Sequence, residues 1–342
     1  MYEEEGRSID MKMKKILNHP ESIVNDTLRG YVSAHGDILS LVSGTHMVER
    51  KHAKEAGKVR LMMGNGAGHE PAVICWVGEG MFDLNVPGEV FTCASSSQIL
   101  EAIQRLGEQG PVLVAIQNHE GDVLNAGLAL EDAQERGIDV HSVLFWDDIA
   151  SAPLSSIEER RGMAGMIFYA KILGAMAERG DSVEALISMF ERVRDATRTY
   201  AFAVTNCTHP ITGLSLFVDL PEDEIELGMG VHGEGGGTRI KLPTAKTLAK
   251  TLCDTLIEDG GYSQGDSLLV FLNGSGGMTE MELSILYGDI KEYLESRGME
   301  VAGCKVGSYL TTQELSGASL SLCAVDGEML KLWQAPCKVG KF

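Results

Sequence analysis

Apolar runs of strand length recur along this chain and alternate with segments of helical spacing, and that alternation most restricts its fold. "VRLMM" (59–63), "VLVAIQ" (112–117), "VHSVLF" (140–145), "YAFAVT" (200–205), "IELGMGVH" (225–232), "LLVFLNG" (268–274) and "SLSLCAV" (319–325) read as strands. Between them, segments such as 97–110, 125–137, 162–180 and 280–298 carry helical periodicity. The pattern predicts an α/β fold of two domains, each a mainly parallel or mixed sheet flanked by helices, with the ligand site formed between them. Helical segments ending in Arg-Gly at Gly137, Gly180 and Gly298 are expected to close with glycine in the left-handed conformation. The second series of strands starts after "DSVEALISMFERVRDATRTY". This divides the chain into an acidic tail (1–13), a first domain (14–195) and a second domain (196–342).

Composition narrows the function classes. With 29 basic and 49 acidic residues the net charge is −20, and no basic run offsets it, so nucleic acid is excluded as a direct partner. No window approaches the roughly 20 apolar residues of a membrane span. The acidic start "MYEEEGRSID" lacks the features of a signal peptide, and the expected location is cytoplasmic. The seven cysteines form no C-x-x-C pair and sit mostly among apolar neighbours, as buried small hydrophobes do.

In parallel sheets ligands gather beyond the carboxyl ends of strands, which draws attention to four loops. "GNGAGHEP" (64–71) combines glycines that admit a ligand to the backbone with His69 and Glu70, although tight turns use the same residues. Its Gly64, Gly66 and Gly68 run G-x-G-x-G, which is not a dinucleotide fingerprint, and the chain has no G-K-[ST] for a Walker A loop. In "NHEGDVLNAG", Asp122 stands where either a helix cap or a general base belongs. "GMGVHGEGGGTRI" (228–240) sets His232 among glycines, where a neutral imidazole is available as a nucleophile toward a carbonyl. "LNGSGGMTEMEL" (272–283) either orients a phosphate or shapes the turn into a helix.

Taken together, "GHEPA" (68–72), "VGEGM" (77–81), "GEVF" (88–91), "GDVLN" (121–125), "RRGMAG" (160–165), "ELGMGVHGE" (226–234), "NGSGG" (273–277) and "VGSYLTTQELSG" (306–317) resemble the dihydroxyacetone kinase family, in its substrate-binding K subunit. The likeness runs in order over nearly the whole chain. It implies a small hydroxyketone held as a hemiaminal on His232. It also implies His69 and Asp122 as acid and base at the hydroxyl to be phosphorylated, with Gly66, Ala67, Gly68 and Gln117 around the ligand. No cofactor or metal is expected on this chain. ATP or ADP with magnesium is expected on a separate L-type subunit, and homodimers are implied. The alternative implied by the same resemblance is a ketose-binding transcriptional coactivator without kinase activity.

The chain departs from the family where the pocket is lined. Kinase members carry Lys-Asn-Tyr-Thr before the matching Gly-Asp, and this chain has "QNHE", so Gln117 replaces a lysine and His119 and Glu120 replace tyrosine and threonine. Ala67 stands for the usual serine, and "NCTHPITG" (206–213) is also altered. Clustering of these changes in binding loops reads as altered specificity, toward a different triose or a tetrose ketone such as erythrulose.

Overall fold

A computed structural model describes residues 14–216, 220–235 and 237–342, so the tail read at 1–13 lies outside the described residues. Among these residues the strands build two six-stranded sheets. The first contains β1 (Leu39–Leu41), β2 (Val48–Arg50), β3 (Arg60–Ala67), β5 (Leu84–Val90), β6 (Val112–Gln117) and β7 (Val140–Phe145), in the order β1-β2-β5-β3-β6-β7; β4 (Gly78–Glu79) lies apart from it. The segment β5-β3-β6-β7 is parallel, and β2 and β1 add an antiparallel edge.

The second sheet holds β8 (Thr197–Ala203), β9 (Glu224–Leu227), β10 (Thr238–Lys241), β11 (Ser267–Gly274), β12 (Glu300–Gly307) and β13 (Gly317–Ala324), ordered β10-β9-β8-β13-β11-β12. This sheet is mixed, one of the two forms expected: β11 and β12, the pair joined through a helix, are parallel, and the other pairings are antiparallel. An apolar run says that a strand is buried and nothing about its direction, which the connection decides.

Eight α-helices cover the sheets among the described residues: α1 (Ile23–Ala34), α2 (Ser96–Gly107), α3 (Glu120–Glu135), α4 (Met166–Arg179), α5 (Val183–Asp195), α6 (Ala245–Gly260), α7 (Glu280–Ser296) and α8 (Gly327–Gln334). Capping boxes start two of them, Ser95 with Gln98 at α2 and Thr279 with Glu282 at α7. The Arg-Gly endings behave as the sequence predicts, with φ of +74° at Gly137, +93° at Gly180 and +79° at Gly298.

Helix α4 is buried from Met166 to Ala177 and belongs to a core that also takes Leu269, Phe271 and Cys323 from the second sheet. The C-terminal segment returns to this core. Trp333 of α8 lies 5.6 Å from Phe168 of α4, and β14 (Lys338–Val339) pairs with β4. Arg160, fully buried before α4, grips Asp259 of α6 at 2.7 and 2.6 Å, and Arg198 of β8 holds the same carboxylate at 2.8 Å. Such bidentate pairing fixes orientation as well as distance, so the loop between β7 and α4 is set firmly against the second sheet. Cys75, Cys207, Cys253 and Cys323 are buried as expected, whereas Cys304 is exposed because β12 is a sheet edge.

Candidate functional site

The glycine run is not simply a loop, since β3 continues through Asn65, Gly66 and Ala67. Glycine is what lets it do so: a Cβ on Gly64 would lie 3.0 Å from Ile99 of α2, and one on Gly66 would lie 3.2 Å from the Thr92 backbone. The chain then turns at Gly68 (φ +102°), where a Cβ would meet the Phe91 ring at 2.8 Å. The Gly68 amide donates to the Glu70 carboxylate at 3.1 Å, and His69 is presented at the carboxyl end of the parallel strands. Ala67 is packed into the core and Gly68 turns against Phe91, so of the three loop residues expected around the ligand Gly66 lines the cavity and Ala67 and Gly68 do not.

His69 is tied to a loop far away in sequence. Its Nδ1 lies 2.7 Å from the Thr311 carbonyl oxygen, which can only accept, so Nδ1 carries the proton and Nε2 carries a lone pair. The loop is held in turn by Asn273, buried at the end of β11. Its Oδ1 accepts from the Tyr309 and Leu310 amides at 3.0 and 2.9 Å, and its Nδ2 donates to the Leu310 carbonyl at 2.8 Å. Next along, the Thr312 hydroxyl donates to the Val231 carbonyl at 2.7 Å, beside His232. The fourth loop therefore works through its asparagine as a clamp on the segment that positions both histidines.

His232 lies in a turn beyond Leu227, where β9 ends, and not at the end of the strand itself. Glu234 holds it twice, accepting from the His232 amide at 2.9 Å and from Nδ1 at 3.0 Å. Burial pushes the Glu234 carboxyl up, but the bond from His232 and its charge outweigh that and leave it at about 2. Arg161 extends the chain of contacts, with Nη1 3.6 Å from Glu234 and Nη2 2.7 Å from the buried Asp148. With its Nδ1 proton committed to Glu234, His232 turns Nε2 toward His69 Nε2 at 3.1 Å.

His69 therefore presents its Nε2 lone pair to His232 Nε2 across that gap, within hydrogen-bond reach. Burial, then the neighbouring His232, holds His69 down to about 3, so it is neutral through the working range.

Asp122 occupies the first turn of α3, and the N-cap position is taken by His119, whose side chain caps nothing. Burial pushes the Asp122 carboxyl up to about 6 against the opposing pull of His232. His119 places Nε2 2.9 Å from the Gly162 carbonyl, which leaves Nδ1 as its acceptor, and its ring centre is 5.3 Å from that of His232. Gln117, at the end of β6, donates from Nε2 to the Met163 carbonyl at 3.1 Å and to the Met166 sulfur at 3.0 Å.

A small inner chamber of about 40 Å³ is lined by His69, Asp122, His232, Gln117, His119 and Gly66 among others. It adjoins an open cleft of about 1080 Å³ that Asp122, His119, His232 and Gly66 also line, whereas His69 and Gln117 do not. His119, His232 and Glu234 could supply three ligands to a metal ion, having one ligand atom each within 4.8 Å of the others. Glu234 was visible in "HGE" two residues from His232, and sequence reasoning passed over it. Asn273 and Thr311 lie in stretches the sequence singled out, but their role as a clamp was not legible, because their partners lie more than 200 positions away or on another loop.

Comparison with known proteins gives a consistent picture. The family described as Dak1 domain matches residues 29–341. The dihydroxyacetone-binding subunit DhaK of PTS-dependent dihydroxyacetone kinase 1 from Listeria innocua is 38% identical over 324 residues, covering 94% of this chain and 98% of that one. The solved structure titled dihydroxyacetone kinase operon co-activator Dha-DhaQ is 31% identical with a TM-score of 0.85, covering 92% of this chain and 97% of that one. The dihydroxyacetone kinase from C. freundii, solved with AMP-PNP and Mg2+, is 27% identical with a TM-score of 0.86, covering 96% of this chain and 60% of that longer one.

Proposed function

The chain belongs to the Dak1 domain family, and on that premise we propose that it is the substrate-binding subunit of a short-chain hydroxyketone kinase of the dihydroxyacetone type. His232 holds the ketose as a hemiaminal while a separate L-type subunit donates the phosphoryl group. The observation that carries this reading is the anchoring of His232 Nδ1 by Glu234 at 3.0 Å, which leaves Nε2 as the ring's free reactive nitrogen, 3.1 Å from His69 Nε2 in a small chamber. An electrophilic carbonyl carbon is the ligand atom that suits it.

In the addition, the Nε2 lone pair forms the C–N bond and the carbonyl π pair moves to oxygen. The alkoxide is protonated through water as the ring gives up its Nδ1 proton by way of the Glu234 carboxylate, so one proton is gained and one lost and the hemiaminal is neutral. An alcohol without a carbonyl has no such bond to form, so covalent capture itself selects ketoses. The captured ketose then has one hydroxyl toward the open cleft. Asp122, which lines both chamber and cleft, is the base that removes its proton as that oxygen attacks phosphorus. His69, neutral and confined to the inner chamber, accepts a hydrogen bond from the bound ketose and orients it.

The nucleotide and magnesium that phosphoryl transfer needs belong to the L-type partner. Exposed Val123, Leu124 and Leu128 on α3 support docking at this cleft, because the first two line its rim. Pairing with a second copy of the chain completes the proposed assembly, as the family resemblance implies. Among the described residues no helix is long and apolar enough to cross a membrane.

The test is phosphorylation of a panel of short ketoses by the purified chain with its L-type subunit and nucleotide, read by phosphorus NMR. A ketose phosphate is expected, and its formation should require His232. Covalent ketose binding without phosphoryl transfer would favour the second reading, a ketose-responsive coactivator, which the likeness to Dha-DhaQ supports.

A further inference from the structure

Residues 336–342 form a strap that lines neither the chamber nor the open cleft. It is seated closely. A Cβ on Gly78 of β4 would stand 2.3 Å from the Lys338 carbonyl oxygen of β14, and one on Gly340 would stand 2.4 Å from the Tyr31 hydroxyl. Just beyond β14, Lys341 reaches two segments at once. Its amide donates to the Cys75 carbonyl at 3.2 Å. Its ammonium donates to the Ser308 carbonyl at 2.7 Å and stands 4.5 Å from the centre of the Tyr309 ring.

These two segments meet at His69. The Ala72 amide donates to the Tyr309 carbonyl at 2.9 Å, the Thr311 amide to the His69 carbonyl at 3.2 Å, and the Thr311 hydroxyl to the Glu70 carbonyl at 2.7 Å. Asn273 grips the loop at Tyr309 and Leu310, and Lys341 takes hold one residue earlier, at Ser308. Lys341 is half-buried, and among the described residues it forms no ion pair. A long cationic side chain gives up rotamer freedom when it is pinned in this way. What holds it is a charge-assisted bond, stronger than a neutral one, and a cation over a ring face. The ammonium only donates, so the bond runs one way and fixes the Ser308 carbonyl.

We propose that Lys341 is a positioning residue, stapling the segment that follows His69 to the 308–312 loop and so fixing the Nδ1 bond that sets the direction of the His69 ring. Its effect on ligand binding rests on the ketose reading above, whereas the state of the ring is read without any ligand.

The experiment uses the full chain in three forms: unmodified, Lys341→Met, which keeps the stem and drops the ammonium, and Lys341→Arg, which returns a donor and a flat cation for the Tyr309 ring. The first readout, in protein labelled with nitrogen-15 at histidine, is exchange of the His69 Nδ1 proton with water. It should be ~3–10-fold faster in the methionine variant and within about twofold of native in the arginine variant. The second is NMR titration with dihydroxyacetone carrying carbon-13 at the carbonyl, whose signal leaves the carbonyl region when the hemiaminal forms. Affinity should fall ~3–10-fold with methionine and recover with arginine, under conditions where circular dichroism shows every form folded. Lys341→Gln replaces the methionine variant should that one not fold.

A merely structural lysine would change the unfolding midpoint and leave both readouts alone. His69 exchange unchanged by the loss of the ammonium, or an arginine variant no better than the methionine one, would overturn the proposal and leave the ketose reading intact. No adduct with the unmodified chain would overturn the ketose reading, and His69 exchange would still decide the role of Lys341.

Discussion

Replacing Asp122 with Asn separates the two roles its position allows, because they predict opposite changes in stability. Burial raises its carboxyl from 3.8 to about 6. For a group whose folded value lies above its unfolded one, ionisation works against the fold. The penalty is absent below the unfolded value, grows as pH rises between the two, and is complete above about 6. Its upper limit is about 3 kcal/mol, since each tenfold change in proton affinity is worth about 1.4 kcal/mol. The opposing effect is that an acid in the first turn of α3 interacts favourably with the helix dipole, for ~0.3–1 kcal/mol. Burial wins, so Asp122→Asn should stabilise the protein by about 2 kcal/mol near pH 8 and by nothing near pH 4.

The assay is the thermal midpoint of both proteins across that pH range, where a gain of several degrees at high pH is expected. In parallel, phosphoryl transfer with the L-type subunit should fall ~100-fold or more, as for loss of a general base. A variant less stable at every pH, with transfer intact, would show that the carboxylate serves only the helix and would refute the reasoning.

Other consequences can be checked separately. The phosphorylation rate of the unmodified chain should fall about tenfold per pH unit below about 6, following Asp122 ionisation, and a rate flat down to pH 5 would exclude that carboxylate as the base. Glu234→Ala removes both bonds to His232, and carbon-13 titration should show ketose affinity lower by ~10–100-fold with the fold intact by circular dichroism. Asn273→Ala strands two buried amides and a carbonyl, so chemical unfolding should report a loss of about 3 kcal/mol, together with weaker ketose binding as the 309–312 loop loosens.

What was legible in the sequence follows from what is local. The Arg-Gly stops announced three helix ends because a left-handed residue has a strong preference for glycine, and the angles at Gly137, Gly180 and Gly298 agree. The gathering of His69, Asp122 and His232 on one chamber came from family resemblance, since spacing alone left each open to a structural explanation. Strand direction in the second sheet was not legible, because it depends on connections and not on the apolar runs. Neither was the continuation of β3 through the glycines, where close approach of Ile99 and Thr92 required residues that read as a turn. The clamp formed by Asn273, Thr311 and Thr312 joins segments distant in the chain, and nothing in any one of them declares its partner. Gln117 was legible through the resemblance as a ligand-lining residue and as a departure from the family, but its bonds to Met163 and Met166 were not, because those partners lie on another segment.

Covalent capture of the ketose by one imidazole is the claim on which the account turns, and carbon-13 NMR of carbonyl-labelled dihydroxyacetone reads it directly. With the unmodified chain, the ketone signal should be replaced by one in the region of saturated carbon, and with His232→Ala the ketone signal should persist unchanged. A ketone signal unaltered by saturating native protein, or a saturated-carbon signal that survives the loss of His232, would contradict the account.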